Sequence, residues 1–274
     1  MPVRQSHIQI SVTARTFLSR APSGDHAMRA RKILRLTGPD TRDFLQGLIT
    51  NDITKIDQGL VYAALLTPQG KYIADFFLAA DGDDVLLDAD GEQADALLKR
   101  LTMYRLRAKV EITETDLQIK RGTGPAPAGA LTDPRHADLG WRLIGPEAGE
   151  DGSDWEALHV AHCIPRSGIE LGPDSYILEA GFETLNGVDF RKGCYVGQEV
   201  TARMKHKTEL RKGLRQVEIT GQAPVGSDIL AGDKVVGTVF SQTGGRAIAY
   251  LRFDRAKGEM SAGEAQINWM PAPS

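Results

Sequence analysis

The residues of this chain whose types could do chemistry together are Phe190-Arg191-Lys192-Gly193-Cys194-Tyr195-Val196-Gly197-Gln198-Glu199, followed by Val200-Thr201-Ala202-Arg203. Cys194 sits between two glycines and just after two cations. Nearby positive charge favours thiolate over thiol, which would make Cys194 a nucleophile or a redox-sensitive sulfur. Gly193 and Gly197 permit tight or left-handed turns, which expose backbone N–H groups and let a ligand come close. Gln198 offers amide donors and an acceptor, and Glu199 offers a carboxylate. Together they could read the edge of a heterocycle that carries both donors and acceptors, as a pterin does. Tyr195 could stack on a ring or simply pack. Residue types alone also allow a plainer account, in which Cys194 is a small, half-buried packing residue.

The surroundings are basic. Arg191, Lys192, Arg203, Lys205, Lys207, Arg211, Lys212 and Arg215 face only Glu199 and Glu209 as acids. Such a run suits an anionic partner, or is a solvated charged face. An RNA-binding module over 191–215 is one reading. Against it, specific single-strand contacts use exposed aromatics, and the run has none after Tyr195. His159 and His162 lie one helical turn apart with Cys163 beside them, but no further metal ligand is apparent, so no metal site is expected.

The whole chain sets bounds on these readings. Its 274 residues, 41% hydrophobic, suffice for two or three domains, and a net charge of −3 gives no general case for nucleic acid or an anionic membrane. Two cysteines are too few for a secreted disulfide scaffold or a four-thiolate metal site, so no iron–sulfur cluster held by this chain alone is expected. The longest apolar run, Ile73–Ala80, is broken by Asp75 and is far short of the roughly 18 residues of a membrane helix. Residues 1–27 hold Arg4, Arg15 and Arg20 with Asp25 as the single acid. They read as a disordered extension, a transit-like segment or a misplaced start before Met28.

The elements that must position the motif follow from periodicity. Ile33–Leu36 predicts a strand. Gly38-Pro39 opens a helix with Phe44, Leu45, Leu48 and Ile49 on its apolar face. Val61–Leu66 and Lys71–Ala79 predict a hairpin around Thr67-Pro68-Gln69-Gly70. Val85–Asp88 predicts a strand. Ala94, Leu97, Leu98 and Leu101 mark a helix, and Leu106–Ile112 alternates as a strand. Arg121–Ala130 reads as a linker, Trp141–Ile144 as a strand, and Trp155–Cys163 as a helix with Trp155, Leu158 and His162 near one face. After Thr208–Gly213, the runs Leu214–Ile219, Lys234–Phe240 and Ala247–Phe253, punctuated by glycines, predict a small β-barrel. The expected division is 28–120, 121–208 and 209–274.

Lys192 through Glu199 resembles, at eight consecutive positions, the K-G-C-[YF]-x-G-Q-E signature of YgfZ-like proteins, relatives of the glycine-cleavage T-protein. Thr37-Gly38-Pro39-Asp40 with Phe44 through Asp52 is similar to that family's amino-terminal G-x-D…F-L-Q-G…T-N-D segment, and Leu185 through Phe190 to its approach to the signature. The resemblance spans residue 30 to the end. It implies an α+β fold of three domains in a T-protein-like ring around a folate-sized channel, the last a β-barrel. It also implies a soluble, monomeric accessory protein for assembly or repair of [4Fe–4S] enzymes, with tetrahydrofolate or a one-carbon derivative as ligand. Its partners would be iron–sulfur assembly proteins and client enzymes, and its compartment the bacterial cytoplasm or, alternatively, the mitochondrial matrix. Carried over by position, Cys194 and Lys192 are the functional pair. Tyr195, Gly197, Gln198, Glu199, Arg203 and Asn51 line or brace the ligand site. Two departures stand out. Where relatives have R-x-E-A-G-[IV]-P, this chain has His159-Val160-Ala161-His162-Cys163-Ile164-Pro165, with Ala161 in the pterin-binding glutamate slot. Glu179 is the substitute anchor, and Gly181 falls near the place of a family asparagine. The alternative is a folate-dependent aminomethyl or methyl transferase, for which Asp75 and Asp52 are available, though in no recognisable catalytic motif.

Overall fold

The structure is a computed structural model that describes residues 29–207 and 209–270. The expectation for residues 1–27 and Met28 lies outside the described residues.

The first unit is an antiparallel sheet of β1 (Arg31–Thr37), β2 (Val61–Leu66), β3 (Tyr72–Asp81), β4 (Asp84–Asp90) and β5 (Glu111–Glu114), in the order β2-β3-β4-β1-β5. Side chains alternate across a strand, so one set of residues serves each face. Leu34, Leu36, Ala63, Leu65 and Phe76 pack against Leu45 of α1 (Thr41–Gln46) and Leu97 and Leu101 of α2 (Gly91–Arg105). Tyr62, Ala64, Leu66, Tyr72 and Phe77 enter a second core on the opposite face. That explains why β2 is buried at all six positions: both faces of the sheet are covered. Asp90 starts α2 by accepting the Glu92 N–H. The predicted strand from Leu106 begins too early. Leu106 ends α2 with φ +45° and is 88% exposed, and pairing starts only at Glu111.

The second unit has a four-stranded sheet of β6 (Gln118–Gly122), β7 (Leu131–Thr132), β8 (Trp141–Gly145) and β9 (Gly149–Glu150), ordered β7-β8-β6-β9. The expected boundary at residue 120 and the start of the linker at Arg121 both fall inside β6. α3 (Trp155–Ala161) follows, capped by Asp154. Its buried residues are Trp155, His159 and Val160, rather than Leu158 and His162. A turn-rich stretch then leads to α4 (Gln198–Lys207).

The third unit is a closed barrel of β10 (Lys212–Thr220), β11 (Asp228–Ala231), β12 (Lys234–Thr243), β13 (Arg246–Arg252), β14 (Met260–Ala262) and β15 (Ala265–Asn268), running β10-β13-β12-β11-β14-β15. Its interior holds Val217, Ile229, Val239, Ala249, Leu251 and Ile267. All three units meet on the second core, where Tyr62 and Phe77 join Trp155 and Phe182 of the middle unit and Leu214 and Ile248 of the barrel.

Charges are folded into the joint between the first two units. Asp88 takes Arg31 Nε at 2.6 Å and Arg142 Nη2 at 2.6 Å, while Asp133 holds Arg135 through two bonds of 3.0 and 2.8 Å. The Arg135 and Arg142 guanidiniums lie 4.8 and 4.2 Å from the centre of the Phe77 ring. Burial pushes the Asp88 carboxyl up, but Arg31 and Arg142 outweigh it and hold it below the ordinary carboxylate range. Among the described residues no helix is long and apolar enough to cross a membrane.

Candidate functional site

The two motifs that stand out in the sequence fold onto each other. Helix α1 ends at Gln46 and leaves carbonyls without helical partners. The Lys192 ammonium reaches across 146 residues to accept that role, donating to Gln46 O at 2.7 Å and to Ile49 O at 2.6 Å. Val196 N donates to Gly47 O at 3.2 Å, Asp189 N to Thr50 O at 3.0 Å, and the Thr50 hydroxyl to Gly187 O at 2.7 Å. Asn51 Nδ2 bonds Tyr62 O at 2.8 Å and Asn186 O at 2.7 Å, and its Oδ1 accepts from Asp52 N and Lys55 Nζ. Residues 46–51 and 186–196 are thus one stitched unit.

The far side of the motif rests on the β2–β3 turn. Gly197 has φ +86°, and a Cβ there would lie 2.6 Å from Thr67 O and 2.9 Å from Leu66 Cβ. Only glycine allows both that backbone conformation and that approach. Gly193 differs: its φ is not positive, and a Cβ there would meet nothing within 4 Å. Of the two glycines that permit a left-handed turn, Gly197 adopts one and Gly193 does not.

This packing sets each side chain of the motif. Lys192 is buried and turned inward, and desolvation pulls its ammonium down to about 8. Tyr195 is buried in the second core, so its ring packs rather than stacking on a ligand. Cys194, between them, is exposed. Lys192 and Cys194 therefore point opposite ways and do not form a contact pair. Arg191, Glu199 and Arg203 are exposed, and Gln198 is half-buried at the start of α4. The thiol is presented to open surface. The two described recesses, of about 540 and 210 Å³, are lined by residues outside 192–199.

The other cysteine contrasts with it. Cys163 is held at φ +51°, and burial with Glu170 nearby pushes its thiol up to about 12. Several residues of the basic run have partners within the fold. Lys192 faces the interior, Lys205 pairs with Glu183, Lys212 lies 3.7 Å from Glu179, and Arg215 stacks over Phe253 at 4.3 Å.

A cluster that the sequence offers without any motif is centred on Asp75. Tyr62 and Tyr72 donate to it at 3.0 and 2.5 Å, and Ser167 at 2.6 Å. Burial, then the Asp75 charge, raises both phenols well above their ordinary value. These partners lie 13, 3 and 92 residues from Asp75 and share no spacing, so only the fold brings them together.

The residues expected to hold a pterin have other partners. The Glu179 carboxylate is buried at the barrel joint, accepts the Tyr250 hydroxyl at 2.6 Å and lies beside Lys212. The Asn51 amide is fully bonded. Ala161 is exposed, and Gly181 takes φ +79°. Tyr62 and Phe182 fill the interior with stacked rings 5.0 Å apart. Glu179 and Asn51 thus already have partners within the fold, and Tyr195 packs in the second core.

Comparison with known proteins fits this architecture. Over 276 residues the chain is 29% identical to the mitochondrial iron–sulfur cluster assembly factor IBA57 of Homo sapiens, with 84% of this chain and 78% of that protein covered. The Mus musculus protein gives 29% over 279 residues with the same coverage. Residues 211–272 match the family described as CAF17, C-terminal beta-barrel domain. The crystal structure of the glycine cleavage system aminomethyltransferase T from Bartonella henselae superposes with a TM-score of 0.69 at 13% identity, covering 86% of this chain and 81% of that one. The chain therefore has the aminomethyltransferase T fold, closes with a CAF17-type β-barrel, and is related by sequence to the IBA57-type iron–sulfur cluster assembly factors.

Proposed function

We propose that this chain is an iron–sulfur cluster assembly factor whose working group is the Cys194 thiol. The observation that carries the reading is a contrast: one sulfur exposed on a rigidly stitched loop beside an unobstructed Gly193, the other half-buried with its thiol pushed up to about 12. A lone surface thiolate cannot hold a cluster, but it can give one sulfur ligand or one thiol contact to a cluster held mainly by a partner. The open space at Gly193 leaves room for the partner's backbone. The names of the IBA57 relatives support the role, and they favour the mitochondrial matrix over the bacterial cytoplasm as the compartment. Partners in this reading are assembly proteins and client [4Fe–4S] enzymes, as for the YgfZ-like branch.

The test is complementation. Cells lacking the protein and given Cys194→Ala should keep normal amounts of folded protein yet lose [4Fe–4S] enzyme activity. Full rescue by that variant would remove the thiol from the mechanism. Tetrahydrofolate has no step in this reading, because Glu179 and Asn51 are committed elsewhere. Calorimetry should show no saturable heat with tetrahydrofolate. Binding that disappears in Glu179→Ala would restore the folate expectation. The transferase alternative predicts methylene-tetrahydrofolate from an aminomethyl donor, and Asp75 would be the residue to remove.

A further inference from the structure

His136, Asp138 and His162 converge at the edge of the middle unit, and each has a ligand-type atom within 4.8 Å of the other two. His162 Nε2 lies 2.9 Å from Asp138 Oδ2, and His136 Nδ1 lies 3.8 Å from the same oxygen. The two imidazoles face each other with centroids 3.7 Å apart and planes inclined by 20°. From this geometry we infer a binding site for a divalent transition-metal ion of borderline character, Zn²⁺ or Fe²⁺, ligated by His136, Asp138 and His162.

Four features support the assignment. The donor set is chemically selective: two imidazoles and one carboxylate suit zinc and non-haem iron, whereas magnesium and calcium prefer all-oxygen shells. Ligands that bind one ion at about 2.0–2.2 Å stand roughly 3–3.5 Å apart. The present spacings approach that, so small side-chain rotations close the shell. The main rearrangement needed is at His136, whose Nδ1 now takes the Asp138 N–H at 3.2 Å. The supporting backbone is fixed on both sides. Pro134 O is held by Asn186 Nδ2 at 2.8 Å, Arg135 is locked to Asp133, and His162 N bonds Leu158 O at 3.1 Å. Finally, three protein ligands leave coordination positions open, and Asp138 also borders the 540 Å³ recess whose wall includes Thr123, Ser153, Asp154 and Ala157. A small polar ligand could reach the ion from there.

The sequence hid this site. His162 suggests a pairing with His159 on the same helix, but His159 is buried and faces the arginine cluster, where burial and then Arg135 hold it neutral, well below its ordinary value. The real neighbours come from the loop before β8.

The test is an anaerobic Co²⁺ titration of the full chain, read by d–d absorption and followed by competition with Zn²⁺ and Fe²⁺. One equivalent should bind, without sulfur-to-cobalt charge-transfer bands, and be displaced by a competing ion. Because losing even an outer-shell partner weakens metal sites by about 10–100-fold, His162→Ala and the isosteric Asp138→Asn should each weaken binding at least about tenfold. His206→Ala should leave it unchanged, and circular dichroism should confirm that both weakened variants remain folded. Equal affinity in wild type and Asp138→Asn, no saturable binding, or binding lost only in Cys194→Ser would overturn the assignment. The readout is metal affinity alone, so its failure is distinct from failure of the assembly role.

Discussion

The chemistry of the two sulfurs is set within a few ångströms. Cys194 is exposed, while Cys163 is half-buried near Glu170, and desolvation pushes its thiol up to about 12. Brief maleimide treatment of the native protein near neutral pH should therefore label one cysteine, located at 194 by peptide mapping. Equal labelling of both would contradict the packing of Cys163. Lys192 makes a second residue-scale statement. Desolvation holds it at about 8 in the folded chain, below the roughly 10.4 of a free lysine. Between those values the unfolded chain binds more protons than the folded one, so the stability term from this lysine rises with pH. Denaturant unfolding from pH 7.5 to 10 should show wild type gaining on Lys192→Met, and parallel curves would mean the ammonium is not desolvated. At low pH in that window the variant should be destabilised by about 1–3 kcal/mol, the scale of charged-group hydrogen bonds lost at Gln46 O and Ile49 O.

At the scale of elements, the glycines of the motif separate. Gly197→Ala forces a Cβ into Thr67 O and Leu66 at φ +86°, so it should cost about 2–4 kcal/mol, combining left-handed strain with overpacking. Gly193→Ala meets nothing and should stay within about 0.5 kcal/mol while obstructing the face beside Cys194. Thermal melts of the two variants decide the point. Periodicity made most elements legible. The hairpin around Gly70, α2 and three of the six barrel strands, β10, β12 and β13, follow from apolar spacing and turn residues, which act locally. It failed at Leu106, where an alternating pattern crosses a helix end, and at the first boundary, where β6 is too polar to read as a strand. The motif itself was legible as chemistry, but the direction of Lys192 was not. Its partners are main-chain carbonyls, which carry no sequence signal. For the same reason nothing in the sequence signals the main-chain partners of Asn51, while those of Glu179, Tyr250 and Lys212, lie far from it in sequence.

Across the whole molecule, the first and middle units are held by buried charge as well as by the second core. Asp88 and Asp133 have carboxyls that burial would raise, but their arginine partners hold both below the ordinary value. A depressed folded value contributes stability above the unfolded pKa, near 3.9, and that contribution is lost as pH falls through the folded one. Unfolding at pH 7 and pH 3 should therefore show an acid-side loss that is smaller in Arg142→Met, where Asp88 keeps Arg31 as its remaining partner. An identical pH slope in both proteins would place the acid sensitivity elsewhere. The staple from Lys192 to Gln46 has a topological consequence. Closing a loop of 146 residues costs chain entropy, so this junction is a long-range contact that local structure alone cannot make. A chain cut before residue 192 would lack the donor for the Gln46 and Ile49 carbonyls, so the placement of the loop that bears Cys194 depends on the meeting of two segments far apart in the chain.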